Sequence, residues 1–156
     1  LQLTLESPAE TEALGAALWS ALPEKYWVYL YGELGAGKTT LIRGLLRAAG
    51  YTQVVKSPTY SLVEEYEVGG RRVFHFDLYR LKDPEELAWL GMEDYLQQTA
   101  LCFIEWPQMG AGYLPAADIV INLQHHADKR LIEIKALQAS VNKSIKLLWK
   151  NKEILL

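Results

Sequence analysis

The sequence predicts an α/β domain: a mixed central sheet, with a parallel core and added antiparallel hairpins, flanked by helices. Three observations predict it. An aromatic and β-branched run, Tyr26–Tyr31, passes directly into the glycine-rich segment 32–39, and a helix-patterned stretch follows at once. A second short apolar run, Ala100–Ile104, has the unbroken hydrophobicity of a strand buried on both faces, as strands of a parallel sheet are. Two pairs of β-prone runs, within 61–78 and 118–137, each read as a hairpin.

The first element is a helix over about 8–22. Ser7-Pro8-Ala9-Glu10 forms a capping box with proline at the first helical position. Leu14, Ala17, Leu18, Ala21 and Leu22 follow at helical spacing, and Pro23 ends the helix. Tyr26–Tyr31 is the central strand. The next helix covers Thr39–Ala49, with Leu41, Ile42, Leu45, Leu46 and Ala49 on one face and Gly50 as its terminating glycine. Ser61–Val68 and Arg71–Leu78 pair around Gly69-Gly70. Asp83-Pro84-Glu85-Glu86 caps another helix, with Asp83 as N-cap and Leu87, Leu90, Tyr95 and Leu96 on its apolar side. The Ala100–Ile104 strand then ends in Glu105-Trp106-Pro107. Asp118–Leu123 and Arg130–Leu137 form the second hairpin, and Val141–Leu156 reads as an amphipathic terminal helix carrying Lys143, Lys146, Lys150 and Lys152.

With 156 residues the chain suits one domain over 1–156, since domains commonly run to about 100–200 residues. Half the residues are hydrophobic and 22% are charged, a balance that argues against disorder. The formal net charge of −3 argues against a direct, dominant grip on nucleic acid, which calls for a basic excess or face. The single cysteine, Cys102, admits no internal disulfide and reads as a core thiol in a reducing compartment. No run approaches the ~20 apolar residues of a membrane span, and the N-terminal residues lack the pattern of a signal peptide, so cytoplasm is expected.

Gly32, Gly37, Lys38 and Thr39 satisfy G-x-x-x-x-G-K-[ST], the P-loop pattern. Glycines let the backbone wrap closely around a phosphate, and successive N–H groups then point into one concavity. The helix that follows adds its positive N-terminal end. Glu33, Leu34, Gly35, Ala36, Gly37, Lys38, Thr39 and Thr40 are thus the expected nucleotide-binding residues, with Lys38 against the β- and γ-phosphates and the Thr39 hydroxyl on Mg²⁺. The strand before and the helix after supply the context that makes the pattern specific.

Phosphoryl transfer also calls for a metal-side carboxylate and a group that places water. Asp77 and Glu105 each end an apolar strand and each fit, although a strand-end charge facing water fits the same pattern. Lys56-Ser57-Pro58-Thr59 fits either a switch segment that senses metal and γ-phosphate or a proline turn. Trp106 by local pattern is a core residue, and Arg130 a surface charge opening the last strand. His125 and His126 point apart on a strand, which argues against a metal site.

Taken together, Gly32–Thr40, Lys56–Glu64, His75-Phe76-Asp77-Leu78-Tyr79-Arg80-Leu81, Asp83–Leu87 and Glu105-Trp106-Pro107 closely resemble the bacterial TsaE family, also called YjeE. The resemblance spans roughly 5–137, and its five motifs at matching spacing are far more specific than a lone P-loop. It implies a small cytoplasmic ATPase, weak in isolation, needed for threonylcarbamoylation of adenosine 37 in tRNAs that read ANN codons. It implies action on a TsaB–TsaD pair, with TsaE supporting multiple turnover, and contact with tRNA only through that complex. It also implies roles: Lys38 and Thr39 for phosphates and Mg²⁺, Glu105 as the second protein group at the metal, and Thr59 as switch threonine. Asp77 becomes an essential acid near metal and water, Trp106 a neighbour of the nucleotide, and Arg130 a basic group near base or ribose.

The tail 138–156 matches the family least, and its lysines read as a solubilising face of a terminal helix or as a partner contact. Two other function classes stand beside this one. A small-molecule P-loop kinase would call for an arginine-rich lid, and no segment clusters arginines. A nucleotide-gated binding module would call for nucleotide binding without meaningful catalysis.

Overall fold

The computed structural model describes residues 1–152. Thirteen elements follow in chain order, starting with β1 (Gln2–Leu5), α1 (Pro8–Ala21), β2 (Tyr26–Tyr31) and α2 (Lys38–Ala48). The hairpin β3 (Val63–Val68) and β4 (Arg71–Asp77) comes next, then α3 (Glu86–Leu90), α4 (Met92–Gln97) and β5 (Leu101–Glu105). A 3₁₀ turn over Pro107–Gly110, the hairpin β6 (Ile119–His126) and β7 (Lys129–Ala136), and α5 (Ala139–Lys150) complete it.

All seven strands form one sheet in the order β1-β7-β6-β2-β5-β4-β3. The four inner strands β6, β2, β5 and β4 are parallel, and the outer pairings β1–β7, β7–β6 and β3–β4 are antiparallel. The expected mixed sheet is present, and each hairpin contributes its inner strand to the parallel core. Strand β1 carries no strong sequence pattern. It is fixed by tertiary pairing, Gln2–Leu5 against Arg130–Glu133 of β7.

Strand alternation splits the core in two. Val28, Leu30, Val73, Leu101 and Phe103 face α1, α2 and α5 across one side. Trp27, Phe74, Phe76, Cys102 and Ile104 face the short helices α3 and α4 on the other. Cys102 sits deep in that second layer, and burial pushes its thiol up to about 12, which suits an inert core residue.

Local signals act largely as expected. Ser7 caps α1, its Oγ accepting from the Glu10 N–H at 3.2 Å, while Glu10 accepts in turn from the Glu6 N–H at 2.8 Å. Asp83 does not stand directly at a helix start. Its Oδ1 accepts from the Glu85 N–H, Glu86 Oε2 accepts from Lys82 and Asp83, and the helix begins only at Glu86. Gly91, at φ 87°, then divides the expected single helix into α3 and α4. The second hairpin is longer than expected, reaching His126 and resuming at Lys129. In the tail, α5 buries Val141, Ile145 and Trp149 and exposes Lys143, Lys146 and Lys150. The expected continuation over 153–156 lies outside the described residues. Among the described residues no helix is long and apolar enough to cross a membrane.

Candidate active site

The C-terminal ends of parallel strands β2, β4 and β5 meet at one edge of the sheet, where α/β proteins place their ligand sites. Strand β2 leads into the glycine loop, and α2 starts at Lys38. Gly35 and Gly37 take φ 78° and 109°, left-handed values that strain any residue with a Cβ. Around them Glu33, Leu34 and Gly35 are exposed, Ala36 is buried, and Thr39 and Thr40 are half-buried. Loop backbone and helix N-terminus therefore converge, which is the arrangement that binds anions.

Lys38 is 5% exposed, which is unusual for a lysine. Its Nζ donates to the Gly32 carbonyl at 2.6 Å, lies 3.5 Å from Glu105 Oε1, and stands 4.8 Å from the Trp106 ring centroid. Glu105 reaches that position because β5 runs parallel to β2, with Glu105 in register with Leu30, two residues before Gly32. The parallel pairing of β4 with β5 sets Asp77 directly opposite Glu105. Pattern reasoning left the two acids as separate candidates; the register makes them neighbours, and both are buried rather than facing water.

Their environments differ. Burial raises Asp77 above the usual carboxylate range, and the Tyr79 N–H, donating to Oδ1 at 3.0 Å, opposes that only in part. Burial would raise Glu105 too. The hydrogen bond from His75, and then the Lys38 ammonium, outweigh it and hold the carboxyl below its usual value. Glu105 is thus kept anionic.

The Ser-Pro-Thr loop joins this group. Thr59 Oγ1 donates to Asp77 Oδ2 at 3.3 Å and lies 2.8 Å from Ser57 Oγ. The loop turns at Pro58, where the Leu62 N–H donates to the Pro58 carbonyl at 3.0 Å, and is joined to Asp77 through Thr59. Trp106 follows Glu105 with φ 56°, and its ring packs against Tyr79 with centroids 5.0 Å apart. It is half-buried, borders the second core layer, and at the same time caps the lysine. Arg130 is tied to the glycine loop, its Nε donating to the Ala36 carbonyl at 3.1 Å. Beside it lies a cleft of about 150 Å³, bounded by Gly35, Gly37 and Thr40 on one side and Asp128 and Arg130 on the other. A larger cavity, about 700 Å³, lies around the Gly69-Gly70 turn at the opposite end of β4 and contains none of these residues.

One member was not singled out by pattern. His75 is fully buried, and its Nε2 lies 2.5 Å from Glu105 Oε2. The signal was available: alternation along β4 puts residues 75 and 77 on one face, so a strand bearing Asp77 into the site also bears His75. Ser7, on the wall of the small cleft, was likewise read only as a helix-start residue, and Thr11 beside it carried no signal.

The donor chemistry fits a hard divalent cation. The Thr39 hydroxyl and the anionic Glu105 carboxylate supply oxygen, the ligand that Mg²⁺ prefers, and Mg²⁺ is usually held by few protein groups together with substrate phosphates.

Comparison with known proteins agrees. A family model described as "Threonylcarbamoyl adenosine biosynthesis protein TsaE" matches residues 5–132. A tRNA threonylcarbamoyladenosine biosynthesis protein TsaE from Haemophilus influenzae is 53% identical over 118 residues, covering 76% of this chain and 74% of that protein. The protein of the same name from Bacillus subtilis is 35% identical over 123 residues, covering 78% and 76%. A crystal structure of YdiB from Bacillus subtilis aligns with a TM-score of 0.78 at 26% identity, covering 97% of this chain and 95% of that one. With its glycine loop, its acids and its mixed sheet accounted for, the chain belongs to the TsaE family of threonylcarbamoyl adenosine biosynthesis proteins.

Proposed function

We propose that this protein is a slow ATPase that acts on a TsaB–TsaD pair to support repeated threonylcarbamoylation of adenosine 37 in ANN-decoding tRNAs, in the cytoplasm. The carrying observation is the convergence of Lys38, Glu105, Asp77 and Thr59 at the mouth of the glycine loop.

In this reading the loop N–H groups, the α2 N-terminus and Lys38 bind and orient the ATP phosphates. Thr39 and Glu105 would hold Mg²⁺, which when bound would supply positive charge against the phosphates. Asp77 takes the role of water positioning. Its carboxyl, raised by burial, has the greater affinity for a proton and suits the group that accepts one, whereas Glu105, held anionic, suits the metal. Thr59 couples the Ser-Pro-Thr loop to Asp77. Trp106 and Arg130 border the nucleotide.

The slow rate follows from what the arginines do. Arg43 pairs with Glu12, Arg47 binds the Tyr51 and Gln53 carbonyls, and Arg71 binds those of Trp19 and Leu22. Arg72 binds Gln98, Arg80 lies over Tyr60, and Arg130 binds Ala36. None of these partners is Lys38, Asp77 or Glu105. An arginine finger is worth about 10³–10⁵ in rate, so its lack leaves room for completion of the site by a partner.

The test is co-purification with TsaB and TsaD, with and without ATP, followed by phosphate release and tRNA modification over many turnovers. The expected result is ATP-dependent association, slow phosphate release by the isolated chain and faster release in the complex. No association and no effect on turnover would sink the proposal. Phosphate transfer to a metabolite in place of release would favour a kinase. Full function in Glu105→Ala would favour a nucleotide-gated module.

A further inference from the structure

We propose that His75 is a positioning residue of this site: its Nε2–H binds Glu105 Oε2 and thereby presents Oε1 to Lys38 and to a divalent cation. The inference rests on the nucleotide-site reading above and adds a residue and a task to it.

The geometry assigns the two carboxylate oxygens different partners. Oε2 is 2.5 Å from His75 Nε2, and Oε1 is 3.5 Å from Lys38 Nζ. The last torsion of a glutamate is broad and nearly two-fold, so an unrestrained carboxylate would offer either oxygen in many orientations. A donor fixed on Oε2 removes that freedom.

His75 is suited to the task. It is fully buried on β4, a strand paired on both sides, so its ring has no alternative place to go. Its Nδ1 has no hydrogen-bond partner among the described residues. A proton on Nδ1 would be a buried donor without an acceptor, whereas a bare Nδ1 lone pair is the cheaper state. The proton therefore belongs on Nε2, where it points at Glu105. Carboxylates that hold metals are commonly steadied in this way by a second residue that never touches the metal.

The test compares two side chains of like chemistry and unlike reach. The amide nitrogen of His75→Gln extends about as far as Nε2, while that of His75→Asn stops near the Nδ1 position. Both variants are first matched for melting temperature against the wild type. Mg²⁺ is then titrated calorimetrically into protein saturated with ADP, and ADP binding is measured separately in EDTA. In His75→Asn the half-saturating Mg²⁺ concentration should rise about 10–100-fold, the usual cost of losing such a partner, with metal-free ADP affinity unchanged. His75→Gln should restore the wild-type midpoint. Nitrogen NMR of the wild type, which needs no variant to fold, should show Nε2 protonated and Nδ1 bare.

Equal Mg²⁺ midpoints in the Gln and Asn variants would overturn the proposal, as would a proton on Nδ1 in the wild type. A wild type that binds no ADP would overturn the nucleotide-site reading itself, and the proposal with it.

Discussion

Asp77 and Glu105 stand opposite each other at the ends of β4 and β5, yet their surroundings drive their proton affinities apart. Burial lifts Asp77 above its ordinary 3.8, so between that value and its raised one the folded state binds more protons than the unfolded state. Stability therefore falls as pH rises through that window, and an ionised Asp77 weighs against the fold at neutral pH. Glu105 has the opposite sign. Its folded value lies below 4.5, so its contribution is complete above 4.5 and is lost as pH falls through the lowered value. One substitution separates the two. Asp77→Asn keeps the shape and an acceptor for the Tyr79 N–H, and removes the buried charge. It should stabilise the protein at pH 7 by about 0.5–2 kcal/mol, the usual size of a single stabilising substitution, while sharply lowering phosphate release. The gain should vanish below pH 3.8, where the aspartate is protonated in both states. Urea unfolding at the two pH values checks it, and a variant that is less stable than wild type at pH 7 would refute this account of Asp77.

Helices α1 and α2 set the position of the glycine loop, and they do so through glycine. A Cβ on Gly44 would stand 2.1 Å from the Glu12 carbonyl oxygen, and one on Gly15 would stand 2.2 Å from that of Leu41. The helix backbones touch, so neither contact is with a side chain that can swing away. Gly44→Ala would gain about 1 kcal/mol of helix propensity. Overpacking against backbone should exceed that and give a net loss of about 1–3 kcal/mol in urea unfolding. Nucleotide affinity should drop as well, because Lys38 and Thr39 lie in the first turn of the displaced helix. Unchanged stability would mean that the helices separate freely. Close approach of this kind is only half legible in a sequence: Gly44 lies inside a strong helical pattern without saying which partner needs the space. Strand β2, the glycine loop, α2 and both hairpins were legible because periodicity, turn residues and a motif agreed. The break at Gly91 was missed because apolar spacing ran on across it. Strand β1 was missed because its pairing with β7 spans most of the chain. The pairing of His75 with Glu105 joins residues thirty apart, and only the parallel register of β4 on β5 brings them together.

At the scale of the whole molecule, the candidate site is a junction. β2, β4, β5 and α2 deliver Lys38, Asp77 and Glu105, and β7 delivers Arg130 to the loop from the other half of the sheet. The same β7 holds β1 on its outer side, so the N-terminal strand and the cleft wall share one support. A ligand seated there touches elements that pack into the larger core layer, and its binding energy should act on global unfolding rather than on one loop. By linkage, a ligand at one hundred times its Kd adds about 2.7 kcal/mol to the folded state. For a chain of this size each kcal/mol moves Tm by about 2–4 °C, so ADP with Mg²⁺ should raise Tm by about 5–10 °C. Lys38→Ala tests whether the effect runs through this site. Its loss leaves Glu105 still bound to His75, so the fold should persist while the ligand-induced rise in Tm disappears. A rise that survives Lys38→Ala would place the nucleotide elsewhere on the protein.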